Sequence, residues 1–322
     1  MKDETLSTGL ESLEVRSVTN DGFEETGFQQ PFFIVSWVEF GLSLVLFHIR
    51  WYTCQKILHR TGNDFYVASA TLVVGTASMA MLTVGAAHGL GLPRSHLTPE
   101  DILSALLFGW VNQLLALVAI GLSKIAIVVF LLRIEGFHTP TRTFFLWFIA
   151  GSNLVVNCIA AILALVQCSP IQKLWNEGIP GECSARKRVQ IFGYVQGSWS
   201  AFVDIALAMY PMLLFWGVEA FTTRTKVGLC ALMGVGISAA ICASFKSARL
   251  SLLTKTADET YTLAQVIIWN QSEMWVLFIV SCIPPTKVFF RLAVQKVASY
   301  INAGKNRAVH LQSHNEPRGP NV

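Results

Sequence analysis

The sequence predicts an all-α fold, a bundle of seven transmembrane helices with the N-terminus outside and the C-terminus cytosolic. Seven stretches, at about 31–49, 65–87, 102–132, 144–167, 191–216, 227–250 and 263–286, each meet or approach the roughly 20 apolar residues that cross about 30 Å of hydrocarbon. Only 14% of the residues are charged and the mean hydropathy is +0.51, against about a quarter charged in soluble domains. The apolar runs are uninterrupted and lack the in-out alternation of barrel strands, so helices are left as the means of satisfying backbone groups in lipid.

Three regions follow from this pattern. Residues 1–30 carry Lys2 and Arg16 against seven acids and contain no apolar core of signal-peptide type, so they read as a disordered acidic tail. Residues 31–295 form the membrane domain, and 296–322 form a basic disordered tail. Lys and Arg near the span ends set the orientation. One set of connections holds Arg50, Lys56, Arg60, Arg133, Arg142, Arg224, Lys226 and the basic residues from Lys287 onward; the opposite set is poorer, despite Arg186-Lys187-Arg188. The net charge of +4 reflects this asymmetry and gives no support for nucleic-acid binding. A basic tail suits anionic membrane lipid instead. The endoplasmic reticulum and the plasma membrane both fit such a multi-pass protein.

Of seven cysteines, Cys168 and Cys183 flank the fourth loop on the predicted outer side, where a disulfide would persist. Closing a loop of that size is worth about 3 kcal/mol in the chain-entropy picture. The remaining cysteines show no metal-ligand spacing, and no metal is expected.

Polar residues inside the spans carry the functional argument, because a charge in hydrocarbon costs about 2.5–3.5 kcal/mol on insertion scales and therefore faces a partner or a cavity. The fifth span bears Asp204 on a stripe with Gly193, Gly197 and Ser200, and the seventh aligns Gln265, Trp269 and Glu273, with Asn270 beside them. The sixth offers Ser238, Cys242, Lys246 and Arg249. The third has Asn112, Gln113 and the deeper Lys124, and the fourth has Asn153 and Asn157. Glu39 lies within the first span, and His88 ends the second. With helices alternating in direction, His88, Asn112, Arg249, Asp258 and Glu259 lie toward the outer side and Asp204 and Glu273 near mid-depth. That arrangement is a polar pocket opening outward, with Asp204 and Glu273 as acid or base and Trp269, Arg249, Asn270, His88, Asn112, Gln113 and Asp258 as substrate contacts. The alternative is a purely structural network of paired acids and cations.

Other chemistries find no footing. No lysine stands in the middle of the last span for a retinal Schiff base, since Lys287 lies beyond Pro284-Pro285 and Lys246 nears the end of the sixth. Phosphate loops, Gly-x-Ser-x-Gly, His-Glu-x-x-His and Asp-rich diphosphate motifs are absent. No cofactor is implied. Asn270-Gln271-Ser272 fits the glycosylation pattern but sits inside a span. Gly89-Leu90-Gly91-Leu92-Pro93 reads as a loop turn.

The order of several short features resembles the fungal rhodopsin-domain family of seven-span membrane proteins over about residues 31 to 295. Asp64 opens the second span and Gly89-Leu90-Gly91 follows it, with the family's usual histidine displaced to His88 or His96. Gly121-Leu122-Ser123-Lys124 through Leu132-Arg133-Ile134, then Cys168-Ser169-Pro170, Trp175 and Cys183, come next. Asp204 before Tyr210-Pro211 and Trp216 follows, then Arg249, Asp258, Thr260, Trp269, Glu273 and Cys282-Ile283-Pro284. The resemblance implies a receptor-like protein or a membrane protein of a secondary-metabolite pathway. This chain has short cytosolic loops and no cysteine-rich outer domain, so the second implication is preferred. It would bind a hydrophobic small molecule and cyclise or isomerise it. A receptor for a small lipophilic ligand, or a transport or accessory role, is the alternative.

Overall fold

The computed structural model describes residues 29–58, 62–135, 139–176, 178–215 and 260–283. Among these, six long helices appear: α1 (Gln29–Tyr52), α2 (Asn63–Ala87), α3 (Pro99–Glu135), α4 (Pro140–Leu165), α5 (Arg186–Phe215) and α6 (Thr260–Ile283). α1 continues into a π-helical turn over Thr53–Leu58. α6 is the seventh predicted span. The sixth predicted span, with Lys246 and Arg249, lies outside the described residues, as does Asp258.

Five of the six helices are long and apolar enough to cross a bilayer. α5 is the exception. It forms as expected, but three cations open it at Arg186-Lys187-Arg188 and Gln196, Ser200 and Asp204 interrupt its apolar character. By length and composition five of the described helices thus qualify as membrane spans, whereas the count of seven and the direction of the termini stand as sequence expectations.

Local chemistry sets the helix ends. Thr98 caps α3: its hydroxyl accepts the Asp101 N–H at 3.2 Å and donates to the Asp101 carboxylate at 2.6 Å, while Pro99 supplies a first residue that needs no N–H partner. α2 ends where Gly89 takes φ +89°, a left-handed conformation open to glycine. Leu90 N–H then reaches Gly85 O and Gly89 N–H reaches Ala86 O, both at 3.0 Å. The glycine-rich segment is therefore the turn that the sequence suggests.

Two compact units divide the chain. In the larger, comprising Met1–Leu44 and Gly62–Ser281, α3 packs against α2, α4 and α5, and α4 packs against α5. α3 and α6 are the most enclosed helices. Glycines permit the closest approaches. A Cβ on Gly121 would stand 2.5 Å from Leu154 Cδ1 and 3.1 Å from its Cα, and one on Gly75 would stand 2.9 Å from the Trp275 ring. Trp275 also meets Phe40 of α1 at 5.2 Å and Phe278 at 6.1 Å between ring centroids. The smaller unit, Val45–Thr61 with Cys282–Val322, buries Arg50, whose guanidinium donates to Cys282 Sγ at 3.9 Å. Arg50, counted above among the cations of the connections, thus has a partner inside its own unit.

The polarity of the larger unit is that of a protein in lipid. Val38, Val73, Phe144, Phe148, Val155 and Ile162 point outward, while Ser36, Ser78, Asn112, Lys124, Asn153, Ser200, Asn270 and Glu273 are wholly buried. Apolar side chains facing hydrocarbon lose nothing, and polar groups gather inside where they find one another.

Candidate functional site

Asp204, predicted from α5, and Glu273, predicted from α6, meet at one cation. Lys124 of α3 places its Nζ 2.9 Å from Asp204 Oδ1 and 3.9 Å from Glu273 Oε1, with all three side chains at 0% exposure. The same ammonium donates to Ser200 O at 2.9 Å and to Ser200 Oγ at 2.7 Å. The Ser200 hydroxyl in turn donates to Glu273 Oε1 at 2.6 Å. Ser200 and Asp204 lie one turn apart on α5, so both face α3. Three helices are thereby tied at one point by charge-assisted contacts, which are the strong ones in a low-dielectric interior.

Sequence reading noted Lys124 and Ser200 but gave neither a site role. The signal that would have found Lys124 is the one that found the acids: an ionisable group deep in a span calls for a partner.

A second polar level surrounds α6. Gln271 Nε2 donates to Ser78 Oγ at 3.3 Å. Asn112 Nδ2 donates to the same hydroxyl at 2.9 Å and to Ser78 O at 2.7 Å. Asn112 is therefore engaged by α2, whereas Gln113 Oε1 is buried without a hydrogen-bond partner among the described residues. Ser272 hydrogen-bonds the Glu39 carboxyl of α1. Asn270, Gln271, Ser272 and Glu273 are successive and all buried, so the glycosylation pattern there is inaccessible. Trp269, one residue earlier, is half-buried. A third chain of amides joins α4 to α5: Gln196 donates to Asn157 Oδ1 at 2.7 Å, and Asn157 to Asn153 Oδ1 at 3.1 Å.

His88 does not join these levels. Its Nδ1 is 3.2 Å from Asp101 Oδ1, its ring stacks on Phe108 at 6.2 Å, and the His88 and Asp101 side chains are 40% and 42% exposed. It braces the turn between α2 and α3. At the far ends of those helices Arg133 Nη1 donates to Asp64 Oδ1 at 2.7 Å, and Asp64 is buried in the first turn of α2. A carboxylate there also faces the positive end of the helix dipole.

The Cys168–Cys183 disulfide is present. Beside it Ser169 and Glu182 exchange backbone hydrogen bonds at 2.9 and 3.0 Å, and Gly181 is required because a Cβ would strike Ser169 O. Among the described residues no three His, Cys, Asp or Glu side chains gather as metal ligands.

Apolar membrane helices around a buried Lys124–Asp204–Glu273 cluster define a polytopic integral membrane protein with an ionisable interior. The fungal rhodopsin domain matches residues 49–292, so the chain belongs to that family. It is similar to Fugralins biosynthesis cluster protein 2 of Gibberella zeae, with 28% identity over 45% of this chain and 36% of that protein. Similarity to a SAT4 family membrane protein of Emericella nidulans is 24% over 71% of this chain and 58% of the relative. For Wortmanamides biosynthesis cluster protein C of Talaromyces wortmannii it is 21% over 77% and 67%. The matches thus span between about a third and two thirds of these relatives' lengths. No solved structure matches the chain.

Proposed function

We propose that this protein serves a fungal secondary-metabolite pathway by binding a hydrophobic intermediate within the bundle and cyclising or isomerising it through acid-base chemistry without a cofactor. The observation that carries this reading is the meeting of two carboxyls from different helices at a single lysine, wholly out of solvent. Asp204, in direct contact with Lys124, is the fixed counter-ion. Glu273 holds a neutral hydroxyl at 2.6 Å and the cation at 3.9 Å, and it is assigned the proton transfer. Trp269, one residue from Asn270 and four from Glu273, lines the path and offers a ring face to a developing cation. Arg249 and Asp258 are assigned to the outer mouth and the grip on a polar or anionic group, on sequence position alone. The names of two relatives, each a biosynthesis cluster protein, support the pathway.

An extract from a strain lacking the gene should contain the accumulated substrate. Membranes carrying the wild-type chain should consume it without other enzymes, and Glu273→Gln should not, although it accumulates to the same level. Consumption by both would overturn the assignment.

One observation favours a receptor as the second reading. Lys124 ties α3, α5 and α6, and Asp64–Arg133 ties the predicted cytosolic ends of α2 and α3. A ligand that opened the first tie could release the second. Ligand-dependent binding of a G-protein subunit, with no substrate loss, would select this reading.

A further inference from the structure

Asn270 is wholly buried, and among the described residues neither its Oδ1 nor its Nδ2 has a hydrogen-bond partner. On the same helix Gln271 Oε1 and Trp275 Nε1 are also unmet among the described residues, but Asn270 lacks a partner at both ends of its amide, whereas the three residues after it each hold at least one. Gln271 donates to Ser78, Ser272 to Glu39, and Glu273 accepts from Ser200. Leaving a buried donor and a buried acceptor both unmet costs about 1–3 kcal/mol each, and in hydrocarbon no bulk water relieves the deficit. A valine, the apolar residue nearer to it in volume, would be cheaper at this position. Retention of an amide there points to an external group that completes it.

The geometry narrows that group. An amide edge offers one acceptor and two donors in a plane, and its complement is a group with C=O and N–H side by side. Asn270 and Glu273 are three residues apart on α6, so their Cβ atoms are about 5–6 Å from each other. An anionic carboxylate gripped by Asn270 would lie within one turn of the Glu273 carboxyl and would carry no donor for Oδ1. A neutral amide satisfies both atoms and brings no charge. We infer that Asn270 anchors a neutral amide or lactam group of the hydrophobic intermediate and so presents the atoms beside that group to Glu273. This rests on the acid-base reading above and adds the substrate class to it.

The test uses the full chain in lipid nanodiscs and two probes: a six-membered lactam bearing a heptyl chain, and the lactone of the same ring and chain. The lactone lacks only the N–H donor. Tryptophan emission, with Trp269 adjoining the anchor, reports binding. The wild type should bind the lactam about tenfold more tightly than the lactone. Asn270→Val should bind the two equally and melt at or above the wild-type temperature, since it removes unmet polar groups with little change in volume. Equal affinities in the wild type, binding of neither probe, or a preference that survives Asn270→Val would each overturn the anchor. So would a marked fall in the melting temperature of Asn270→Val, because the amide would then be serving the fold. The two proposals fail separately. If Glu273→Gln stops conversion while the wild type shows no lactam preference, the anchor alone is lost. If Glu273→Gln retains that preference and still converts substrate, the proton-transfer assignment alone is lost.

Discussion

Replacing Lys124 with methionine keeps an unbranched side chain one atom shorter and removes the cation from between Asp204 at 2.9 Å and Glu273 at 3.9 Å. Two hydrogen bonds to Ser200 go with it. All three ionisable groups are wholly buried, so no solvent screens the loss. Removing one partner of a buried pair costs about 3–5 kcal/mol, more than a hundredfold in the folding equilibrium constant at about 1.4 kcal/mol per decade. Equilibrium unfolding in mixed micelles, followed by tryptophan emission, measures this loss. Adding Asp204→Asn to Lys124→Met removes a buried charge that has lost its cation, and the double variant should recover much of the stability. The coupling from the double-mutant cycle should exceed about 1 kcal/mol. A Lys124→Met protein within about 1 kcal/mol of the wild type, or simple additivity with Asp204→Asn, would refute the view that the three groups act as one unit.

Further outcomes follow from the same packing. Arg133→Met should cost more than Asp64→Asn, because the first takes a cation from a buried carboxylate while the second leaves a guanidinium already 39% exposed; the same unfolding assay ranks them. Gly121→Ala should lose about 1–3 kcal/mol, since its Cβ would press on the Leu154 backbone, whereas Gly151→Ala, with nothing within 4 Å, should lose none. Cys168→Ser and Cys183→Ser should each lose about 2–4 kcal/mol, and the double variant no more than either alone. In intact vesicles, an impermeant maleimide should reach this cysteine pair only after reduction and only from the outer or lumenal side, which also checks the predicted orientation.

Much of the fold was legible because lipid enforces it. Five of the six long helices lie where an uninterrupted apolar run lies, and helix ends follow from Thr98-Pro99 and from His88-Gly89. α5 was legible as a helix, although its polar stripe leaves it short of the composition that marks a span. The disulfide was legible because two cysteines bracket one outer loop. The buried cluster was legible only in its acids. Asp204 and Glu273 stand out as acids in hydrocarbon, but their common partner, Lys124, is separated from them by 80 and 149 positions in the chain, and no periodicity links such distant residues. Asn112 was assigned to substrate, yet Ser78 of α2 occupies its donor group. His88 shared the outer-side placement with Asn112, but its nearest ionic partner is Asp101 at the start of α3. These pairings depend on which faces of neighbouring helices meet, and a single sequence states only which residues share a face.

Conversion of the accumulated intermediate by purified protein in nanodiscs tests the acid-base claim most directly, with wild type and Glu273→Gln compared by mass spectrometry at equal folded amounts. The wild type should give a product isomeric with its substrate, and the variant none above background. An equal yield from both, or unchanged substrate in both, would contradict it.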